Sequence, residues 1–188
     1  MRLFTAIELP PHILIRLERL LVALRPEALI RWSPLDNLHI TIKFIGQWPG
    51  ARLTELTSCL RTVVIHAPFD IEIKGLGWFP NERAPRVLWA GVQAGDDLTE
   101  LVQRTEACLE PLGIKKEDRP FSPHLTLARI KSPVPLARLR KKVADLQPAA
   151  IGTFSVPSFT LYLSEPGTNG SVYQKLQEFK LEAAIAAP

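Results

Sequence analysis

The sequence predicts an α+β fold of two pseudo-symmetric lobes, and three observations lead to this prediction. Strand-like and helix-like segments alternate along the 188 residues. Residues 38–42 and 123–127 each contain a histidine followed two positions later by a threonine, between branched apolar residues. The order of segments around the first motif recurs around the second. Because side chains of a strand alternate between two faces, each motif places His and Thr on the same face.

The first half of the chain is predicted to contain three strands and two helices. Apolar residues at helical spacing follow Pro10-Pro11, and alternating Ile71 and Ile73 indicate a strand. In order, the predicted elements are a strand at 2–9, a helix that begins at Pro10-Pro11 and ends before Pro26, the first motif strand at 38–45, a helix at 51–64 and a strand at 69–78.

The second half repeats this order after a polar loop at 80–85. Gly95 and the two following aspartates are typical of a turn that caps a helix. In order, the predicted elements are a strand at 87–92, a helix that ends at 112, the second motif strand at 122–130, a basic helix at 136–146, a strand at 154–163 and a closing strand after the turn at 166–170.

The two halves correspond at one constant offset, which is the separation of His39 from His124. The same offset carries positions 3–7, including Phe4, onto positions 88–92, including Trp89. We therefore predict one domain over 1–188, with an internal repeat. Its lobes would cover roughly 1–80 and 85–165, with a closing strand at 171–180. Equivalent strands of two related lobes are expected to bring both His-Thr faces to one cleft.

Composition limits the class of protein. A net charge of +4 and a pI near 9.3 fit an anionic partner such as nucleic acid, or simply a mildly basic surface. Cys59 and Cys108 are not in a Cys-x-x-Cys pair, so neither a disulfide framework nor a metal site is predicted. No apolar run is long enough for a membrane span or a signal peptide, which predicts a cytoplasmic protein with no membrane association.

Two histidines across a cleft are suited to acid–base chemistry on a phosphodiester. Histidine titrates near neutral pH, so one ring could accept a proton while the other donates one. A neighbouring threonine hydroxyl could donate a hydrogen bond to a phosphate oxygen. His39 with Thr41 and His124 with Thr126 are therefore the candidate residues. No metal or other cofactor is required. A single His-x-Thr would be more typical of a structural histidine, but two in register favour a site.

Other side chains near the motifs are candidates for phosphate or base contacts. Lys43 has the strand parity of His39 and could face the phosphate, whereas Phe44 has the parity of the buried face. Arg129 has the wrong parity and would reach the cleft only if its strand bulges. Phe121 could stack on a base or close the edge of the lobe.

Longer stretches of the chain resemble a known family. Residues 2–10, 31–46, 85–92 and 121–129 are similar to signature segments of the two-histidine (2H) phosphoesterase superfamily, as are 161–164 and 173–176. Within it, they resemble the RNA 2′,3′-cyclic phosphodiesterases, also called 2′-5′ RNA ligases. The resemblance covers nearly the whole chain.

This resemblance implies a fold, a reaction and residue roles. Antiparallel sheets, with helices outside, would form a concave central groove. The enzyme would open an RNA 2′,3′-cyclic phosphate, or a small cyclic nucleotide, to a 2′-phosphomonoester. His39 would be the proton donor and His124 the proton acceptor, while Thr41, Thr126 and Arg129 would bind the phosphate. Reversible 2′-5′ ligation is a further activity of some family members.

Two alternatives remain open from sequence. The chain could act on another 2′-linked or small cyclic nucleotide. It could also be a catalytically silent module that binds RNA ends, which would need the same groove but not two titratable groups at equivalent positions. A monomer is the default expectation for the oligomeric state.

Overall fold

A computed structural model describes residues 1–63, 65, 68–168 and 170–181. Residues 64 and 169, which fall in the predicted second helix and the last predicted turn, lie outside this range. The helices are α1 (Pro11–Leu24), α2 (Leu53–Leu60), α3 (Asp96–Leu109) and α4 (Ala137–Asp145). The strands are β1 (Arg2–Ile7), β2 (Arg31–Trp32), β3 (Ile40–Gln47), β4 (Phe69–Phe79), β5 (Val87–Ala94), β6 (His124–Arg129), β7 (Ala150–Val156), β8 (Ser158–Gly167) and β9 (Gly170–Lys180).

All the strands in the described residues belong to one antiparallel sheet. Their order is β7-β4-β5-β6-β3-β1-β8-β9, with the short β2 also paired to β6. The predicted strand at 154–163 is two strands, because Pro157 interrupts the ladder between β7 and β8. The prediction of an α+β fold with antiparallel strands is confirmed.

The halves of the sheet do not coincide with the halves of the sequence. β4 belongs to the first repeat in sequence but pairs with β5 and β7 of the second. β8 belongs to the second repeat but pairs with β1. The predicted lobe boundary between residues 80 and 85 therefore describes the order of the chain and not its division in space. The two repeats exchange strands, which makes them one continuous structure.

The constant offset also fails for the strands beside the motifs. Phe4 lies opposite Phe44 and Ala6 opposite Thr41, whereas Trp89 lies opposite Thr126. Trp89 is thus equivalent to Ala6 and not to Phe4, contrary to the sequence alignment. When β3 and β6 are aligned on their motifs, the residues of β1 and β5 that lie opposite them match at an offset that differs by two residues from the offset between the motifs.

The main hydrophobic core lies between the sheet and the helices. α1 packs on β7 and α3 on β3, while α2 packs against α3 and α1 against α4. Fully buried Ile13, Leu17 and Leu21 give α1 the apolar stripe that its spacing predicts. With helices covering this face, the other face of the curved sheet is left for a groove.

A disulfide joins Cys59 of α2 to Cys108 of α3, 49 residues apart in sequence. The prediction that these cysteines are not paired is wrong. Their spacing matches no short motif, and only the packing of α2 against α3 brings them together.

Candidate active site

The two motif strands meet at a single residue pair. In β3 and β6, Ile40 lies opposite Leu125, and these two positions are themselves equivalent in the repeat, each directly following a motif histidine. A local two-fold axis therefore passes through this pair and relates one motif to the other. His39 and His124 flank the pair on opposite sides of the axis. This contact is how the fold brings the two motifs together.

The histidines and threonines of both motifs line one groove of about 700 Å³. Alternation explains this placement, because Ile40, Ile42, Leu125 and Leu127 point into the core from the other face of the sheet. The groove is also lined by Arg129. The sequence prediction of a shared cleft thus agrees with the positions of these five groove residues.

Both histidine rings are held by the same hydrogen bond. His39 Nδ1 lies 2.7 Å from the carbonyl oxygen of Asn37, and His124 Nδ1 lies 2.8 Å from that of Ser122. A carbonyl oxygen only accepts, so each Nδ1 carries the hydrogen. In the neutral ring, Nε2 then has the free lone pair. Each Nε2 is therefore the atom that can exchange a proton with a ligand.

Aromatic rings surround His39 more closely than His124. The His39 ring centroid is 4.9 Å from that of Phe4, 5.3 Å from that of Tyr173 and 6.4 Å from that of Tyr162. His124 has one such neighbour among the described residues, Phe79, whose ring lies edge-on at 4.9 Å. These contacts fix both rings and make the surroundings of His39 less polar.

The pKa of each histidine is lowered by its surroundings. Burial lowers the pKa of His39 from 6.5 to about 4, the Asn37 hydrogen bond opposes this, and the positive charges of Arg129 and His124 add to it. Burial and Arg129 also lower the pKa of His124, against its hydrogen bond to Ser122. Both rings are therefore neutral at neutral pH when no anion occupies the groove.

Each motif strand contains a bulge directly after its threonine. Thr5 and Ala6 of β1 lie opposite Lys43 and Thr41, which leaves Ile42 as an extra residue. In β6, Leu127 is extra in the same way, between the partners of Leu88 and Trp89. A bulge reverses the parity of every residue that follows it. The side chains at 43 and 44, and at 128 and 129, therefore exchange faces.

Lys43 consequently lies on the wrong side of the sheet to bind phosphate. Its side chain is 1% exposed, and Nζ donates to Glu106 at 2.8 Å and to Glu117 at 3.0 Å. The prediction that Lys43 faces the phosphate is wrong, because it assumed unbroken alternation through Ile42. Lys43 instead ties β3 to α3 and to the loop that follows it.

The same reversal places Phe44 and Arg129 on the groove face. Phe44 is 57% exposed and lines the groove, so the expectation that it is buried is wrong. Arg129 reaches the groove through the bulge that its parity required. The two residues are equivalent in the repeat of the two motifs, so one end of the groove carries an aromatic ring where the other carries a guanidinium.

Phe121 does not face the groove. It is partly buried and packs against the main hydrophobic core, which corresponds to the edge-closing alternative and not to base stacking. The aromatic side chains that do line the groove include Phe44 and Tyr173. Tyr173 was not a candidate from sequence because β9 reaches the groove only through the exchange of strands.

A polar network behind His39 was also not predicted. The Glu8 carboxylate accepts hydrogen bonds from Thr160 at 2.9 Å and from Lys175. Burial acts to raise the pKa of Glu8, but bonds from Lys175, Thr160 and Tyr162 outweigh it and the pKa is lowered. Burial and Glu8 together raise the pKa of Tyr162. This network holds neutral Tyr162 in place among the aromatic rings that surround His39.

The described residues contain no group of three or more His, Cys, Asp or Glu side chains arranged to hold a metal ion. Within the described ranges, no helix is both long and apolar enough to cross a membrane.

Sequence comparison places the chain among known proteins. The profile of the 2′-5′ RNA ligase superfamily matches residues 9–168. A Methanothermobacter thermautotrophicus protein named RNA 2′,3′-cyclic phosphodiesterase is 30% identical, covering 96% of this chain and 98% of its own. A Thermus thermophilus protein of the same name is 34% identical, covering 96% of this chain and 90% of its own.

Solved structures give the same result. The crystal structure of a Thermus thermophilus protein superposes with a TM-score of 0.83 at 32% identity, covering 98% of this chain and 100% of the other. Escherichia coli LigT complexed with 3′-AMP superposes with a TM-score of 0.75 at 27% identity, covering 96% and 97%. The profile match and the relatives confirm the resemblance seen in the motifs, and the chain is an enzyme of the 2′-5′ RNA ligase superfamily, the two-histidine phosphoesterases.

Proposed function

We propose that the chain hydrolyses RNA 2′,3′-cyclic phosphate ends to 2′-phosphomonoesters. The observation that carries this proposal is the pair of histidines on one groove, each with Nδ1–H bonded to a carbonyl and Nε2 free. Two threonine hydroxyls and Arg129 on the same surface supply hydrogen-bond donors for a phosphate. The names of relatives at 30% identity and above support the same reaction.

The proposed mechanism assigns one proton transfer to each histidine. Neutral His124 accepts a proton from water as the water oxygen bonds to phosphorus. Protonated His39 donates its proton to O3′ as the P–O3′ bond breaks, which leaves the phosphate on O2′. Thr41 and Thr126 donate to the non-bridging oxygens, where negative charge increases in the transition state. The assignment of donor and acceptor rests on the family resemblance.

This mechanism needs no metal ion, because Nε2 atoms supply both the acid and the base. We therefore expect full activity after dialysis against EDTA. Activity that is lost with EDTA and restored by a divalent cation would contradict the metal-independent mechanism.

The test is incubation with a short RNA that ends in a 2′,3′-cyclic phosphate, followed by identification of the monophosphate isomer. The 2′-phosphate isomer is expected. His39→Ala and His124→Ala should each lower kcat by roughly 10²- to 10⁴-fold, the usual contribution of a general acid or base. His12→Ala is the matched control, since His12 is exposed and contacts Thr153 outside the groove. Undiminished turnover by either motif variant would refute the mechanism.

The same assay separates the alternatives. An RNA-end-binding module would retain the RNA without forming product, whereas an enzyme for another 2′-linked nucleotide would turn over that substrate and leave this RNA intact. Escherichia coli LigT has been crystallised with phosphate and with 3′-AMP, so in that protein the fold accepts phosphate-bearing ligands. In 2′-5′ ligation, which we also propose, the 5′-hydroxyl of a second RNA takes the place of water: its oxygen bonds to phosphorus as the P–O3′ bond breaks. Supplying an RNA with a free 5′-hydroxyl tests this activity. We also propose a cytoplasmic monomer, to be tested by cell fractionation and sedimentation.

A further inference from the structure

The two ends of the groove differ in charge although the repeats that form them are equivalent. Beyond Thr41, the position related to Arg129 is Phe44, and the basic residue that lines the groove at this end is Arg2, opposite Gln47 of β3. Beyond Thr126 lie Arg31, Arg129 and Lys131, which we call the basic arm. Among the described residues that line the groove, none is acidic. The basic arm therefore has positive charge in excess of what one reacting phosphate requires.

Arg31 and Arg129 form the centre of the basic arm. They lie directly opposite each other on the paired strands β2 and β6. Like charges at opposed positions destabilise a sheet unless an anion lies between them. Neither arginine, nor Lys131, forms an ion pair within the part of the chain that the structure describes. The pair is thus available to an anionic ligand.

The position of Arg31 depends on a glycine of β9. A Cβ at Gly170 would lie 2.8 Å from Arg31 Nη2, and the backbone there has a φ of +141°. Glycine at this position allows the guanidinium to lie against the backbone. The main chain before β3 is fixed as well, because the Ser33 hydroxyl donates to the carbonyl of Thr126 at 2.7 Å. Arg31 is therefore held opposite Arg129, close to the second motif.

We propose that the basic arm is a second phosphate site, which binds the internucleotide phosphate on the 5′ side of the nucleotide that carries the cyclic phosphate. This inference rests on the proposed function and names its substrate class more narrowly: an oligonucleotide end, in preference to a free cyclic nucleotide. With the cyclic phosphate between the histidines, the next phosphate of the chain is one nucleotide away. Arg129, which we place at the reacting phosphate, lies opposite Arg31, so Arg31 and Lys131 are the members of the basic arm that are left for the next phosphate.

Three substrates test the proposal. They are a nucleoside 2′,3′-cyclic phosphate with a 5′-hydroxyl, the same compound with a 5′-phosphate, and a dinucleotide whose 3′-terminal nucleotide carries the 2′,3′-cyclic phosphate. The measured quantity is the gain in kcat/KM when the upstream phosphate is added. For the native enzyme we expect a gain of at least about tenfold, as for one charge-assisted hydrogen bond. Arg31→Gln and Lys131→Gln should each lose most of this gain. Arg25→Gln, an exposed arginine at the end of α1, should keep it.

Salt dependence provides a second readout. For single strands, log affinity falls by about 0.7 per unit of log salt for each phosphate neutralised. The slope of log kcat/KM should therefore be steeper for the dinucleotide than for the 5′-hydroxyl compound, and Arg31→Gln should reduce the difference. The gain in kcat/KM and the difference in salt slope each compare two substrates on the same enzyme preparation. Partial unfolding of a variant lowers the activity on both substrates equally and therefore changes neither quantity.

Two outcomes would overturn the proposal: no gain from the upstream phosphate in the native enzyme, or a full gain in both basic-arm variants. The His124→Ala variant separates this failure from failure of the proposed function, since it should bind the substrates without consuming them. Dissociation constants measured with it must show the same preference for the upstream phosphate. If the native enzyme lacks turnover but His124→Ala shows that preference, the second phosphate site stands and the proposed reaction is wrong.

Discussion

Replacing Arg129 by glutamine should move the alkaline limb of the pH–rate profile to higher pH. A pKa of about 4 leaves roughly one His39 ring in a thousand protonated at pH 7 in the free enzyme. The active form carries one proton on the histidine pair. Above pH 6.5, where both free-enzyme pKa values are exceeded, its population falls tenfold per pH unit. Arg129 lowers both pKa values, so removing its charge raises them and extends the active range.

The assay is kcat/KM for a nucleoside 2′,3′-cyclic phosphate between pH 5 and 9, since kcat/KM reports the free enzyme. The native profile should fall about tenfold from pH 7 to pH 8. In Arg129→Gln the fall should begin at higher pH, even though loss of a phosphate contact lowers the maximum. Arg25→Gln, with the same change of charge far from the groove, should keep the native profile. A native profile that is flat from pH 7 to 8, or a limb unmoved in Arg129→Gln, would refute this reasoning.

Three further predictions concern stability. Lys43→Met should lower the free energy of unfolding in urea by about 3 kcal/mol, because Glu106 is left mostly buried without its cation. The kcat of this variant should stay near the native value. Adding Glu106→Gln should restore much of the lost stability. Acidification should destabilise the native protein more than it destabilises the His39→Gln variant. Because the pKa of His39 is lowered by folding, the unfolded state binds the proton first, and up to about 3 kcal/mol of the free energy of unfolding present above pH 6.5 is lost by pH 4. Equal losses of unfolding free energy in both proteins would contradict this prediction. Replacing Cys59 and Cys108 by serine should cost up to about 4 kcal/mol, because the disulfide closes a loop between residues 49 apart, and a reducing agent should then no longer shift the melting curve.

The groove face of each motif could be predicted from sequence up to the threonine. Strict alternation places His39 with Thr41, and His124 with Thr126, on one face, and the constant offset of the repeat makes the two pairs equivalent. Alternation is a local property, so a single strand is enough to read it.

Beyond the threonines, alternation fails because of one extra residue in each strand. A bulge depends on the register with the neighbouring strand, β1 for Ile42 and β5 for Leu127, and that register is a tertiary property. The predictions for Lys43 and Phe44 therefore failed together. Arg129 was placed correctly only because the family resemblance required it in the groove.

The exchange of strands could not be predicted for a similar reason. The sequence places β4 directly after the first motif and α2, which favours pairing within the first repeat. In the structure β4 pairs with β5, the strand that follows it, and the resulting hairpin lies on the far side of the second motif. The alternating pattern of β4 fits pairing within the first repeat as well as it fits pairing with β5. Only the packing of the whole sheet decides between these two pairings.

The environments of the two histidines make the proposed division of roles chemically reasonable. Their backbone bonds are identical, but aromatic rings crowd His39 and burial lowers its pKa to about 4. A low pKa makes protonated His39 a strong acid toward O3′, but it also means that few His39 rings carry a proton in the empty groove. An incoming phosphate anion raises the pKa values of both rings, so that His39 can take up from solvent the proton that it lacks in the empty groove. The same anion offsets the repulsion from Arg129. Binding of the substrate therefore favours protonation of His39, and the difference between the pH dependence of kcat and that of kcat/KM should measure the shift in its pKa.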